Sequence, residues 1–119
     1  MNVSCLCGKT KFQAELKNHD VHACHCPMCR QQSSGVLMSI DVEPSSLTFQ
    51  DQSYLKLFQS SEWGERGFCS ECGTSLFWRT QDGSYCNINV FAMDEQPKDL
   101  KLSTEIYIDN KPDFYQFKY

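Results

Sequence analysis

The chain has 119 residues, 40% apolar and 22% charged, a composition that suits a globular protein and excludes a disordered one. Its length fits one domain over residues 1–119. The formal net charge is −4, with 15 acidic against 11 basic residues, which argues against nucleic acid as a partner. The longest apolar run, Val90-Phe91-Ala92-Met93, is far short of the roughly 20 residues a membrane span needs. Nothing after Met1 resembles a signal peptide, so the expectation is a cytoplasmic protein with no membrane or nucleic-acid partner.

In chain order, the predicted elements are short strands. Phe12, Ala14 and Leu16 alternate with Lys11, Gln13 and Glu15, giving one apolar and one wet face. One or two helical turns are expected from Pro27, whose fixed φ suits a first helical position. Strand candidates follow at 36–43, 47–50, 54–59, 76–78, 84–91, 104–108 and 114–119. Turns are read at Glu43-Pro44-Ser45-Ser46, Trp63-Gly64-Glu65-Arg66-Gly67, Gln81-Asp82-Gly83 and Asn110-Lys111-Pro112-Asp113. No repeat or linker interrupts them. The expectation is an all-β fold of packed sheets with little helix, whose sheet order the sequence leaves open.

The eight cysteines carry the chemistry. A disulfide scaffold belongs to exported proteins, and nothing here directs export. The spacing Cys5-x-Cys7, Cys24-x-Cys26-x-x-Cys29 and Cys69-x-x-Cys72 instead aims several sulfurs at one point, as a tetrahedral metal site requires. Cys5-Leu6-Cys7-Gly8 and Cys69-Ser70-Glu71-Cys72-Gly73 read as knuckles, each with a trailing glycine free to take a left-handed turn. One knuckle supplies half a tetrahedron and needs a partner. Joining these two would cost roughly 4 kcal/mol of chain entropy, against about 10–16 kcal/mol from structural zinc in small peptides.

Cys24-His25-Cys26-Pro27-Met28-Cys29-Arg30 differs in kind. Three sulfurs on one ion leave a fourth position for water or substrate, the pattern of catalytic zinc, and a thiol held there is deprotonated. The alternative is a closed structural site completed by His22, His25 or Cys86. Strand alternation, however, points His25 away from its cysteine neighbours and places Cys86 on one face with Ile88 and Val90 as a small buried hydrophobe. His19 and His22 read as loop residues.

These motifs together resemble the glutathione-dependent formaldehyde-activating enzyme family, whose domain is shared with centromere protein V. The resemblance runs from Cys5-x-Cys7-Gly8 through Cys24-His25-Cys26-x-x-Cys29-Arg30 to Arg66-Gly67-Phe68-Cys69-x-x-Cys72-Gly73-Thr74-x-Leu76. Val90-Phe91-Ala92-Met93-Asp94 and Glu105-Ile106-Tyr107-Ile108 extend it. Phe114 stands where a tryptophan is common. The resemblance implies a β-tent of short coiled antiparallel sheets with two zinc ions. Cys5, Cys7, Cys69 and Cys72 carry over as the structural site, and Cys24, Cys26 and Cys29 as the second, catalytic-type site. The implied reaction is carbon–sulfur lyase chemistry on a small thiol such as glutathione and a small carbonyl such as formaldehyde, through S-hydroxymethylglutathione. Arg30 and Arg66, arginines close to ligand cysteines in sequence, are candidates to hold a substrate carboxylate or developing oxyanion. The rival reading is a zinc-stabilised protein-binding module without chemistry.

Overall fold

A computed structural model describes residues 1–118. The architecture is the expected all-β one, built from two sheets. The smaller sheet has three strands, β1 (Asn2–Ser4), β2 (Lys11–Gln13) and the short β5 (Thr48–Phe49), in the order β1-β2-β5. Seven strands form the larger sheet: β3 (Leu16–Cys24), β4 (Leu37–Val42), β6 (Leu55–Phe58), β7 (Gly64–Cys69), β8 (Ser75–Thr80), β9 (Cys86–Asn89) and β10 (Lys101–Ile106). Their order is β10-β3-β4-β9-β8-β7-β6. Every pair is antiparallel except β10 on β3, which runs parallel at one edge. A single α-helix among the described residues, α1 (Pro27–Ser33), begins at the expected proline. No helix among them is long and apolar enough to cross a membrane.

Register makes the larger sheet two-faced, because side chains alternate along each strand. Ile40 pairs with Ile88 and Ile88 with Phe77, and Val21 lies beside Ile40, so one face is apolar. It closes on Val3 and Phe12 of the smaller sheet, with Leu76 and Val42, to form the core. Burying each such aliphatic side chain fully contributes roughly 1.5–3 kcal/mol. The opposite face is polar. Asp41, Asn87, Trp78 and Arg66 stand in one cross-strand row on β4, β9, β8 and β7, with Ser39 and His22 in the neighbouring row and Cys24 beside Leu37.

Several strands depart from the sequence expectation. The segment 63–67, expected as a turn, is largely the interior of β7, and its glycines admit aromatic rings. A Cβ on Gly67 would lie 2.3 Å from the Phe77 ring, and one on Gly64 would lie 2.7 Å from Trp78. His19 and His22 lie on β3 rather than in a loop. Residues 114–118 do not form a strand; Tyr115 and Phe117 instead pack on His25 at ring distances of 5.6 Å. Tyr119, the last residue of that expected strand, lies outside the described residues.

Candidate functional site

The two knuckles meet at one end of the sheets. In each, glycine takes the left-handed turn that follows the second cysteine, Gly8 at φ 80° and Gly73 at φ 79°. The first turn is closed by Gly8 N–H on the Cys5 carbonyl at 3.1 Å, the second by Gly73 N–H on the Cys69 carbonyl at 2.8 Å. Thr74 ties them together, its hydroxyl accepting from Leu6 N–H at 3.0 Å and lying 3.2 Å from Cys72 Sγ. Lys9 and Glu71 form an ion pair across the junction at 3.1 Å.

As a result the sulfurs of Cys5, Cys7, Cys69 and Cys72 all lie within 4.8 Å of one another. Cys5 and Cys7 are separated by 3.6 Å and Cys7 and Cys69 by 3.8 Å. A disulfide needs about 2.05 Å, and all eight cysteines are free thiols. Sulfurs sharing one tetrahedral zinc at about 2.3 Å stand about 3.8 Å apart, so an all-sulfur set at this spacing fits such an ion. Thr10 N–H donates to Cys5 Sγ at 3.2 Å. The Thr74 hydroxyl leads the hydrogen bonds that draw the Cys72 thiol down to about 5.

Cys24, Cys26 and Cys29 form a second group, again with sulfurs within 4.8 Å. Local structure explains it. Cys24 ends β3, Cys26 caps α1 by accepting Cys29 N–H at 3.3 Å, and Cys29 lies in the first helical turn. The three are not equivalent as thiols. The hydrogen bond from Cys24 is the largest influence on Cys29, and with those from Cys26 and Arg66 it lowers that thiol to about 5 against the effect of burial. Cys24 is pushed well above the usual thiol range by the same Cys29 contact and by burial.

No fourth His, Cys, Asp or Glu joins this triad among the described residues. His25 is fully buried and faces away, with Nε2 2.8 Å from Glu105 and Nδ1 2.7 Å from the Tyr115 hydroxyl. Cys86 lies on the core face, where burial raises its thiol to about 12. His22 has both nitrogens engaged, Nε2 with Asp41 at 3.0 Å and Nδ1 with the Ser39 hydroxyl at 3.2 Å.

The triad opens instead on a cavity of about 490 Å³ over the polar face of the larger sheet. Arg66 lines it, 5% exposed, with Nη2–H donating to Cys29 Sγ at 3.5 Å. Arg30 does not line it: its Nε–H donates to the His25 carbonyl at 2.8 Å and Nη2–H to the Asn110 carbonyl at 3.4 Å. The structure adds a lining residue that sequence reasoning missed. Asn87, 8% exposed, donates from Nδ2 to the Tyr85 hydroxyl at 3.2 Å, and Tyr85 donates to Asp41. Burial, then that acceptor, keeps the Tyr85 phenol protonated well above its usual range. Arg66 Nε and Asn87 Oδ1 find no hydrogen-bond partner among the described residues, and both are closed off from solvent, so neither atom opens on the cavity.

This chain is similar to a Schizosaccharomyces pombe protein named as an uncharacterized lyase, at 28% identity over 117 residues, 96% of this chain and 82% of that one. It is also similar in fold to a crystal structure of a Rhodobacter sphaeroides protein. The TM-score is 0.73 at 23% identity, covering 88% of this chain and 99% of the other. The sequence model for glutathione-dependent formaldehyde-activating enzymes matches residues 1–110, nearly the whole chain and both cysteine groups. The chain therefore belongs to the glutathione-dependent formaldehyde-activating enzyme family.

Proposed function

We propose that this protein is a cytoplasmic two-zinc enzyme of carbon–sulfur lyase type. It would make or break the bond between a small thiol, glutathione in the family's name, and a small carbonyl such as formaldehyde. Cys5, Cys7, Cys69 and Cys72 hold one ion as a closed structural shell, and Cys24, Cys26 and Cys29 hold the other. Cys24, Cys26 and Cys29 would hold zinc there, and when bound it would favour the deprotonated form of a substrate thiol.

In the forward direction the carbon–sulfur bond forms as the thiol sulfur adds to the carbonyl carbon. The carbonyl π electrons move to oxygen, and the proton lost by sulfur ends on that oxygen. Arg66, whose guanidinium lies against Cys29 on the cavity wall, stabilises the oxygen as its charge develops. Reversal of these steps releases the carbonyl. The observation that carries this reading is the juxtaposition of an all-sulfur triad with the Arg66 guanidinium on one cavity.

The test uses protein carrying cobalt in place of zinc. Adding glutathione should change the visible spectrum, because a thiol joins an open three-sulfur set. Exchange between formaldehyde and S-hydroxymethylglutathione, followed by NMR, should then run faster than without protein. An unchanged spectrum with no accelerated exchange would leave the chain a zinc-stabilised module without this chemistry.

A further inference from the structure

The walls of the cavity do not suit the body of glutathione. At neutral pH that tripeptide carries two carboxylates and an ammonium, and each charge taken out of water needs its own partner. Among the described lining residues Arg66 is the one Lys or Arg, and it already leans on Cys29. The remaining surface is largely aromatic and aliphatic: Trp63, Trp78, Tyr85, Tyr107, Met28 and Leu37.

Those side chains reach the mouth. Trp63 is 60% exposed and Tyr107 57%, large rings left in water at the rim of a cavity. Trp63 meets Trp78 edge-on at 5.1 Å, and Trp78 meets Tyr85 at 5.8 Å, so a continuous aromatic wall runs inward from the rim. Tyr107 holds its place at φ 56°, a left-handed conformation that a bulky residue rarely adopts. Formaldehyde and a sulfur would leave most of the 490 Å³ unfilled. The polar demand at the cavity floor is small and definite. It comes from Arg66 and Asn87, with His22 and Ser39 beside them.

We propose that the substrate of this chain is a thiol adduct with an apolar, ring-bearing body. The proposal rests on the reading above for the sulfur alone; the body is read from the walls. Both tryptophans of the chain line the cavity, so intrinsic fluorescence reports binding there. The protein as purified is titrated with benzyl mercaptan, glutathione and benzyl alcohol. Benzyl mercaptan should half-saturate at a concentration roughly tenfold below glutathione, and benzyl alcohol should bind as well. Trp63→Ala, at an exposed position that should not affect folding, should weaken benzyl mercaptan about tenfold and change glutathione by less than about twofold.

Glutathione binding as tightly as benzyl mercaptan, or Trp63→Ala weakening both alike, would overturn the proposal. So would the absence of a response to all three ligands. A response to benzyl alcohol with none to either thiol would uphold the apolar walls and remove the thiol reading instead.

Discussion

The two cysteine groups use the same ligand atom for different ends. Cys7 and Cys69 are 62 positions apart and touch at 3.8 Å, so their group fastens the N-terminal turn onto the turn between β7 and β8. Cys24, Cys26 and Cys29 lie within six residues, at a strand end, a helix cap and a first helical turn. The first group is surrounded by its own backbone turns, whereas the second faces a cavity lined by the Arg66 guanidinium. On the two-zinc reading, an ion in the first group would join segments distant in sequence, and one in the second would tie only six residues. Reach along the chain, more than ligand number, would then decide which site is structural.

Removing one ligand from each group gives the largest expected contrast. Cys69→Ser breaks a long-range junction, and zinc-coupled folding energy is of the same order as a domain's whole stability, roughly 5–15 kcal/mol. It should express poorly or lose its cooperative melt. Cys26→Ser should remain folded and keep about one zinc per chain. Serine is itself a good helix cap, so it can take over the bond from Cys29 N–H that the sulfur now accepts. Mild chelation of the unaltered protein should likewise remove the triad ion first, from about two zinc to about one. If Cys26→Ser unfolds while Cys69→Ser melts normally, the two labels are reversed.

A smaller effect separates binding from scaffolding at the triad. Arg66→Met keeps an unbranched apolar stem, though a shorter one, and removes the buried guanidinium with its charge and its donors. Loss of one donor to a developing oxyanion costs about 10²–10³ in turnover. Stability should hold or rise, because a buried polar group without a full set of partners is itself destabilising. Carbon–sulfur exchange rates and melting curves measured together decide it. A fall in melting temperature in step with activity would make Arg66 a scaffold residue.

Much of this contrast was legible in the sequence. The i, i+2 and i+3 spacings and trailing glycines of the knuckles are local features, and Pro27 marked the helix that carries Cys29. The cavity was not, because its floor is a sheet face that faces a ligand rather than the core. His22 on β3, Asn87 on β9, and Glu65 and Arg66 on β7 break the apolar-in, polar-out rule by which strands are recognised. Gly64 and Gly67 looked like turn residues, yet they are the gaps that Trp78 and Phe77 fill from a neighbouring strand. Alternation does place Asn87 opposite Cys86 and Ile88, but which wet face lines a cavity depends on long-range pairing.

Cys86 sharpens the comparison from outside, as the cysteine that joins neither group. It is 1% exposed on the core face, and burial raises its thiol from 9.0 to about 12. Between those two values the unfolded chain has released this proton and the native chain keeps it. The native state then binds more protons, so stability falls as pH rises through that window. At pH 7 both states are protonated and the thiol contributes only its packing. At pH 10 the same residue should cost about 1 kcal/mol relative to pH 7, one pH unit above the unfolded value. Cys86→Ala leaves a small cavity and should be slightly less stable at pH 7, by about 1 kcal/mol. That deficit should shrink or vanish at pH 10, where the variant no longer carries the titrating group. Urea midpoints of the two proteins at both pH values measure the difference. Because every other change in ionisation is common to both, a deficit that stays constant would show that Cys86 titrates alike folded and unfolded, and that its burial does not set it apart from the clustered thiols.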